Sequence, residues 1–393
     1  MKSRPVPAPA PTLAAVSRPA TPADSWLDRF LAWRDRVYAS PAFHYWAFRL
    51  PILRQVARYR TQALFDITAG FVYTQTLVTC VRLDLFRRLA AAPRTPAQLA
   101  HELGMPLDGV ERLLAAATAL RLVSPRSGGR VGLGPLGSPV LAQDSMVRMV
   151  NHNALLYLDI ADPVALLGRA SGAASSVQQF FPYSEVASPQ SLPADTVAPY
   201  SALMSDTVAP IATEVIDASL LEGRRCLLDV GGGEGGFLRA VAARYPALHL
   251  RLFDLPAVVE RAAGRMREAG MLDRFMCTSG DFHRDPLPEG ADTISLVRIL
   301  LDHDDARALS LLRRVRAALP PGGLLIIAEP MVGVAGARRV AEVYFSFYLR
   351  AMGRGRCRRV DEYTSLLREA GFRRTRVVPT NCPIFTSIVT ADA

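Results

Sequence analysis

Ten residues constrain the fold of this chain more than any others: Leu227-Leu228-Asp229-Val230-Gly231-Gly232-Gly233-Glu234-Gly235-Gly236. An apolar run ends in an acid and passes into a glycine-packed turn. Phe237 to Tyr245 then reads as a helix. Strand, tight turn and helix in this order let an open α/β sheet bring a ligand against its backbone. Glycine is needed there because a Cβ would block the approach or forbid the turn. The spacing is not the G-x-G-x-x-G of a dinucleotide fold, which seats a pyrophosphate on the helix N-terminus. Here Gly231, Gly233 and Gly235 alternate, and Glu234 lies inside the turn. A carboxylate in that place would repel a pyrophosphate. The alternative at this point is a glycine turn that holds no ligand.

The residues downstream favour a ligand. His249 to Phe253 reads as a second strand ending at Asp254, about 20 residues past the turn, where a ribose diol is held in such folds. Phe275 to Thr278 leads to Gly280-Asp281-Phe282, an acid and an aromatic suited to an adenine. Each acid alone reads as an N-cap or turn residue. Three strand ends carrying suitable groups together point to a nucleoside cofactor with an ammonium group and no phosphate, such as S-adenosylmethionine.

Composition closes off other classes. The 393 residues allow two domains or more. No unbroken apolar run approaches the ~18 residues of a membrane span, and Met1 to Ser25 lacks the apolar segment of a signal peptide. Cys80, Cys226, Cys277, Cys357 and Cys382 are scattered, as are the six histidines, so no metal site is expected and a reducing cytoplasm is. The net charge of +10 is almost all arginine, Lys2 being the sole lysine. A bias that uniform reflects genome composition as much as a polyanionic partner, so no nucleic acid is expected.

Four regions are predicted. Residues 1–24, rich in Pro, Ala, Ser and Thr, are predicted to be a disordered tail. Residues 25–145 form a helical arm and a winged-helix domain. In the arm, Trp26, Trp33, Tyr38, Tyr45 and Trp46 are interleaved with Arg29, Arg34, Arg36, Arg49, Arg54 and Arg58. Such a surface suits a membrane interface or a partner subunit. Phe65 to Ala90 reads as one or two helices. Thr95 to Gly104 and Leu107 to Leu120 read as a helix-turn-helix, and Arg121–Val123 with Arg130–Leu133 as its wing. The second helix offers one arginine against two acids and no Asn, Gln or Lys, which suits protein packing better than DNA. Residues 146–222 are connecting helices that contribute to a substrate pocket. Residues 223–393 alternate strands and helices, a doubly wound parallel sheet, with Leu324–Glu329 its fifth strand and Arg373–Val378 and Phe385–Thr390 a final pair.

L-D-V-G-G-G-x-G, F-D-L-P at Phe253 to Pro256, G-D-F at Gly280 to Phe282 and A-L-P-P-G-G at Ala318 to Gly323, behind a winged helix, resemble a known family. It is the S-adenosylmethionine-dependent O-methyltransferases of the plant phenolic and bacterial polyketide type. The resemblance runs from about Phe65 to the C-terminus. It implies a Rossmann-like doubly wound seven-stranded methyltransferase sheet with an N-terminal all-α, winged-helix dimerisation domain, and a homodimer formed through that domain. It places Gly231, Gly233 and Glu234 at the methionine end of the cofactor, Asp254 at the ribose, and Asp281 and Phe282 at the adenine. Asp229, Leu255 and Arg298 complete the expected cofactor set.

Asn151 to Tyr157, Ala161 to Leu167, Arg298 to Asp305 and Ala351 to Arg356 are further similar to the photosynthetic-bacterial branch. That branch methylates hydroxycarotenoids (hydroxyneurosporene, demethylspheroidene) and bacteriochlorophyllides. The expected acceptor is therefore the hydroxyl of an apolar molecule, a 1-hydroxycarotenoid before a tetrapyrrole or polyketide, with peripheral association to the inner or photosynthetic membrane. A DNA-binding regulator and a cofactor-binding protein without turnover remain the other classes.

The base half departs from the phenolic pattern. Leu301 stands at the position of the family's general-base histidine, and Cys357 at that of one supporting glutamate, while Glu329 retains the other. A tertiary alcohol is a weak acid, so proton removal should matter. His303, beside Asp302, Asp304 and Asp305, is the first candidate base, against a reading as a helix N-cap among solvated acids. His152, on an apolar helix, is the second, against a reading as a packed core histidine. Phe180, Phe181, Tyr183, Tyr344, Phe345, Phe347 and Tyr348 are candidates for an apolar slot.

Overall fold

The computed structural model describes residues 25–168, 175–181 and 194–393. The expected tail and Tyr183 lie outside the described residues. The chain divides into two compact units at Gln75/Thr76.

In the first unit, Ser25 caps helix Trp26–Ala39 by a reciprocal box with Asp28. Helix Pro41–Ala47 follows, then helix Pro51–Arg82, within which the boundary falls. Seven arginines stand against three aspartates over residues 25–75. The aromatic side chains are exposed, Trp26 at 79%, Trp33 at 55% and Trp46 at 57%. Arg49 lies 3.4 Å over the Tyr45 ring and Arg60 4.6 Å over that of Tyr38. Helix Pro51–Arg82 is long and apolar enough to cross a membrane. An unbroken-run criterion misses this, because Asp66 and Gln75 interrupt it.

The second unit opens with a helical module. In T-P-A-Q, Thr95 and Gln98 close a capping box and Pro96 begins helix Pro96–Leu103, which Gly104 ends in the left-handed conformation. Helix Leu107–Ala119 follows. The antiparallel hairpin pairs β1 (Val123–Arg126) with β2 (Arg130–Leu133). Its first strand starts two residues later than expected. Arg121, at φ 60°, and Leu122 instead close the preceding helix, donating to the Thr118 and Ala117 carbonyls.

The remaining strands form one sheet: β3 (Cys226–Val230), β4 (His249–Asp254), β5 (Phe275–Ser279), β6 (Thr293–Val297), β7 (Leu324–Glu329), β8 (Arg373–Val378) and β9 (Ser387–Asp392). The order is β5-β4-β3-β6-β7-β9-β8, and β9 runs antiparallel to both its neighbours. β6 and β7 are buried throughout, as their apolar runs require in a sheet covered on both faces. Helices Asp305–Ala318 and Val360–Glu369 share one apolar cluster with the sheet. Helices Ala209–Asp217, Gly236–Arg244 and Pro256–Glu268 share another. The strand order reverses between β3 and β6, which opens a crevice at their carboxyl ends.

Candidate active site

A cavity of about 800 Å³ occupies that crevice. Its walls come from the carboxyl ends of successive parallel strands: Gly231 to Gly233 after β3, Asp254 and Leu255 after β4, Asp281 to Arg284 after β5, and Val297 to Ile299 at β6. The alternating glycines of the sequence are alternating left-handed residues. Gly231 and Gly233 have φ of 72° and 60°, and a Cβ on Gly233 would meet no atom within 4 Å. The backbone there is bare toward the cavity.

Asp229 is buried at the floor. Its Oδ1 accepts from the Ser295 hydroxyl at 2.6 Å, while Oδ2 has no partner. Burial pushes its pKa up to about 7. A lone buried carboxylate oxygen beside bare glycine backbone fits a cationic ligand, since it is an acceptor that an ammonium would donate to. Asp254 ties two loops together, Oδ2 accepting from Gly233 N–H and Oδ1 from Leu255 N–H, at 2.8 and 2.7 Å. Its pKa is raised by burial to about 6. Asp281 accepts from His283 N–H at 2.8 Å, and Phe282 packs at the cavity wall.

The far wall is a short turn, Leu300–Asp302, followed by His303. Two buried groups hold it. Glu329, at the end of β7, accepts from Leu301 N–H at 3.2 Å and from the Tyr363 hydroxyl. Arg358, fully buried, donates to the Leu300 carbonyl at 2.7 Å and the His303 carbonyl at 2.6 Å, and pairs with Asp305 at 2.9 Å. The turn presents Asp302 and His303 to the cavity. Burial, reinforced by the charge of Glu329, raises Asp302 to about 7, against the pull of Arg354 and Arg298. His303 is buried with Nδ1 lacking a hydrogen-bond partner, and desolvation holds its pKa well below 6.5. Its ring lies 4.6 Å from that of His283 and 5.8 Å from that of Phe282.

Residues 183–373 match the O-methyltransferase domain family and residues 65–143 the O-methyltransferase dimerisation domain. The chain is 41% identical to demethylspheroidene O-methyltransferase of Cereibacter sphaeroides over 91% of its length and 93% of the relative's. The enzyme of the same name from Rhodobacter capsulatus is 40% identical over 91% of this chain and 88% of its own. The chain belongs to the S-adenosylmethionine-dependent O-methyltransferases. The fold agrees: human N-acetylserotonin methyltransferase in complex with SAM superposes with a TM-score of 0.71 at 24% identity, over 85% of this methyltransferase and 97% of that chain.

Eight of the expected residues line this methyltransferase's cavity: Asp229, Gly231, Gly233, Asp254, Leu255, Asp281, Phe282 and Arg298. Arg298, at φ 56°, is committed to the helix Ala194–Thr207, donating to the Thr207 hydroxyl at 2.9 Å and the Met204 carbonyl at 2.6 Å. It thus fastens a wall of the cavity. His303 also lines it, and its N-cap reading is overturned: Asp304 is the cap, accepting from Arg307 N–H at 2.8 Å.

Three expectations are corrected. Glu234 does not line the cavity; it is fully buried and pairs with Arg261 and Arg265 of helix Pro256–Glu268 at 2.6 and 2.5 Å. Glu329 lies behind the turn and touches no cavity surface. His152 is packed in an aromatic cluster, 4.8 Å from Phe180 and with Nε2 2.9 Å from the Tyr348 hydroxyl. Burial lowers its pKa to about 4. Of the aromatic slot candidates described, Phe181 lines the cavity. Tyr344, Phe345, Phe347 and Tyr348 belong to the apolar cluster that also contains Phe181.

Asp302, His283, Arg354 and Arg358 were not expected as site residues. His283 directly follows the G-D-F motif, and Arg358 stands two residues past the A-M-G-R-G-R segment, so both lay close to a recognised signal.

Proposed function

We propose that this methyltransferase converts the tertiary hydroxyl of a 1-hydroxycarotenoid of the demethylspheroidene type into a methyl ether, within carotenoid biosynthesis of a photosynthetic membrane. The carrying observation is the identity of about two residues in five, over nine tenths of the chain, to two demethylspheroidene enzymes. When bound, S-adenosylmethionine supplies a methyl group on a sulfonium, already activated for in-line displacement.

The chain's own residues bind and orient. Asp229 offers its unpartnered carboxylate oxygen to the cofactor's ammonium, Asp254 the remaining lone pairs of a fixed carboxylate to a ribose diol, and Asp281 with Phe282 a polar edge and a ring to the adenine. Leu255 and the bare glycine backbone shape the cradle. Arg298 holds the helix Ala194–Thr207 against it. Phe181, Tyr200 and Met204 supply apolar wall for the acceptor. Alignment of this kind contributes up to ~7–11 kcal/mol in favourable systems. His303 presents an uncharged imidazole, and the proton acceptor stands on the turn it shares with Asp302.

We read the helix–helix–hairpin unit as a winged helix that serves a homodimer, since it lies within the dimerisation-domain match. The arm of residues 25–59 is read as a peripheral contact with anionic lipid on the cytoplasmic side, supported by its exposed tryptophans and excess of arginine. Removing residues 1–59 should abolish flotation with anionic vesicles; unchanged flotation, or altered sedimentation of the dimer instead, overturns the lipid reading. The function itself is tested by calorimetry with S-adenosylhomocysteine and by methyl transfer from labelled cofactor to demethylspheroidene, a bacteriochlorophyllide and a polyketide phenol. Methylation of the carotenoid alone is expected; preference for another acceptor would refute the assignment.

A further inference from the structure

The helix Asp144–Asp159 ends in a carboxylate that is only 8% exposed and lies outside the cofactor set. One oxygen of Asp159 accepts from Ser176 N–H at 2.7 Å, the other from Val177 N–H at 2.8 Å. These are the first two amides of the helix Ser176–Phe180, which find no acceptor within their own helix. Two further ties hold the same helix. Ser175 accepts from Gln178 N–H at 2.9 Å and donates its hydroxyl proton to the Ala351 carbonyl. The Phe180 ring lies 4.8 Å from that of His152, two turns earlier on the helix that carries Asp159. Phe181 follows directly. It is buried, lines the cavity and meets the Tyr200 ring edge-on at 4.8 Å. It shares an apolar cluster with Leu301, Leu349 and Met352. That sets it on the side of the Leu300–Asp302 turn, apart from the cofactor loops after β3, β4 and β5.

We propose that Asp159 is a positioning residue for the methyl acceptor: its carboxylate fixes the start of the helix Ser176–Phe180, and through it the Phe181 ring against which the acceptor's hydrocarbon lies. The inference rests on the reading of the acceptor as an apolar molecule seated on that wall. A helix of five residues does not hold its own geometry, since isolated helices shorter than ~12–15 residues are marginal in water. Its placement therefore comes from the groups that grip it. Asp159 takes both orphan amides at once, and hydrogen bonds to a carboxylate are about twice as strong as those between neutral groups. An aromatic wall adds affinity when its ring is held before the ligand arrives, and a ring that must be ordered on binding costs part of that affinity. Both oxygens of Asp159 are engaged on this helix, while the cofactor loops hang from other elements. Its effect therefore falls on the acceptor and spares the cofactor.

The test compares Asp159→Asn, Phe181→Ala, their double variant and Ser176→Pro in the full-length enzyme, with labelled cofactor and demethylspheroidene. Asparagine offers one acceptor oxygen and sets its NH2 donor against the second amide. Asp159→Asn should raise the acceptor KM about tenfold or more, the scale of one lost hydrogen bond to a charged group. Turnover should stay within about threefold and S-adenosylhomocysteine affinity within about twofold, the pattern of lost acceptor binding. Phe181→Ala should show the same pattern. Because Asp159 acts through Phe181, adding Asp159→Asn to Phe181→Ala should raise KM by less than about threefold further. A carboxylate that only stabilises the fold would lower the melt with acceptor KM unmoved, or multiply in full with Phe181→Ala, and either result would overturn the inference. Ser176→Pro deletes one of the two donated N–H groups and leaves Asp159 in place. Proline suits the first position of a helix, and Ser175 before it is already extended at ψ 167°. This variant should also raise the acceptor KM; should Asp159→Asn fail to fold, an unmoved KM in Ser176→Pro overturns the inference. Wild-type turnover with another apolar acceptor and none with demethylspheroidene would refute the functional reading alone, and the same KM comparison on that acceptor would then decide the role of Asp159.

Discussion

Replacing Arg358 by methionine should destabilise the protein and slow it together, because one buried guanidinium holds the turn that carries Asp302 and His303. Methionine fills much the same volume without donors. The carbonyls of Leu300 and His303, now bonded at 2.7 and 2.6 Å, would be left buried without partners. Each such group costs about 1–3 kcal/mol. The Asp305 side of the pair is 54% exposed, so solvent screens its share to about 0–1 kcal/mol. The expected loss is about 3–4 kcal/mol, most of it from the two carbonyls. At roughly 2 °C per kcal/mol for a domain of this size, thermal unfolding should fall by about 6–8 °C. A displacement of the turn by about 1 Å would lower kcat on the order of 100-fold, with a smaller effect on S-adenosylhomocysteine affinity, since most of the cofactor set lies on other loops. Arg358→Lys should fall between, because a single ammonium cannot serve two carbonyls and a carboxylate in a fixed fork. Circular dichroism melts and steady-state kinetics on the same preparations decide it. A melt within about 2 °C of wild type and unchanged kcat would refute the claim that Arg358 positions the turn.

Three further outcomes follow from the site. Ala at Gly233 places a methyl group into the open cavity at φ 60°; it should cost about 1–2 kcal/mol of stability, yet weaken S-adenosylhomocysteine binding by well over tenfold in calorimetry, and equal affinity would show that the cofactor does not approach this backbone. Glu234→Gln should lower the melt, by about 1–3 kcal/mol, with cofactor affinity within about twofold; a large affinity loss would return Glu234 to the cofactor set. Asp229, raised to about 7, binds a cation only when ionised, so affinity should weaken as pH falls below 7, by at most about tenfold per pH unit, and a flat profile would sink its assignment. The same raised pKa means that Asp229 contributes stability fully present below its ordinary 3.8 and lost as pH rises through about 7. Asp229→Asn should therefore melt higher than wild type at about pH 8 in the absence of cofactor, while binding it less well.

The cofactor half of the site was legible because its signals are local. Each signal, the glycine pattern or the acid at a strand end, is read within a few residues, and the parallel sheet brings the ends of β3, β4 and β5 to one edge by topology alone. Glu234 shows the limit of local reading. The carboxylate looked like a ligand because it sits at a helix start, but Arg261 and Arg265, one helix turn apart on another element, claim it. Nothing in the glycine turn itself announces those two cations.

The base half was illegible for the opposite reason. Its geometry is assembled from residues far apart in the chain: Glu329 reaches Leu301 from the end of β7, and Arg358 reaches Leu300 and His303 from beyond the helix Phe345–Met352. Leucine at the family's histidine position looked like a loss of chemistry. In the folded protein the Leu301 backbone amide donates to the retained glutamate, so Glu329 anchors the turn although no imidazole stands at that position. Leu301 becomes core, buried among Leu156, Phe181 and Leu349. Asp302 and His303, next along the turn, both line the cavity, and the His303 ring packs on His283 and Phe282. A phenol ionises readily, whereas an alcohol is a weak acid, so a turn that has lost the phenolic imidazole must still present a proton acceptor. Asp302 and His303 are the titratable groups this turn presents to the cavity, so the departure from the phenolic pattern falls where the acceptor is handled while the cofactor loops keep theirs.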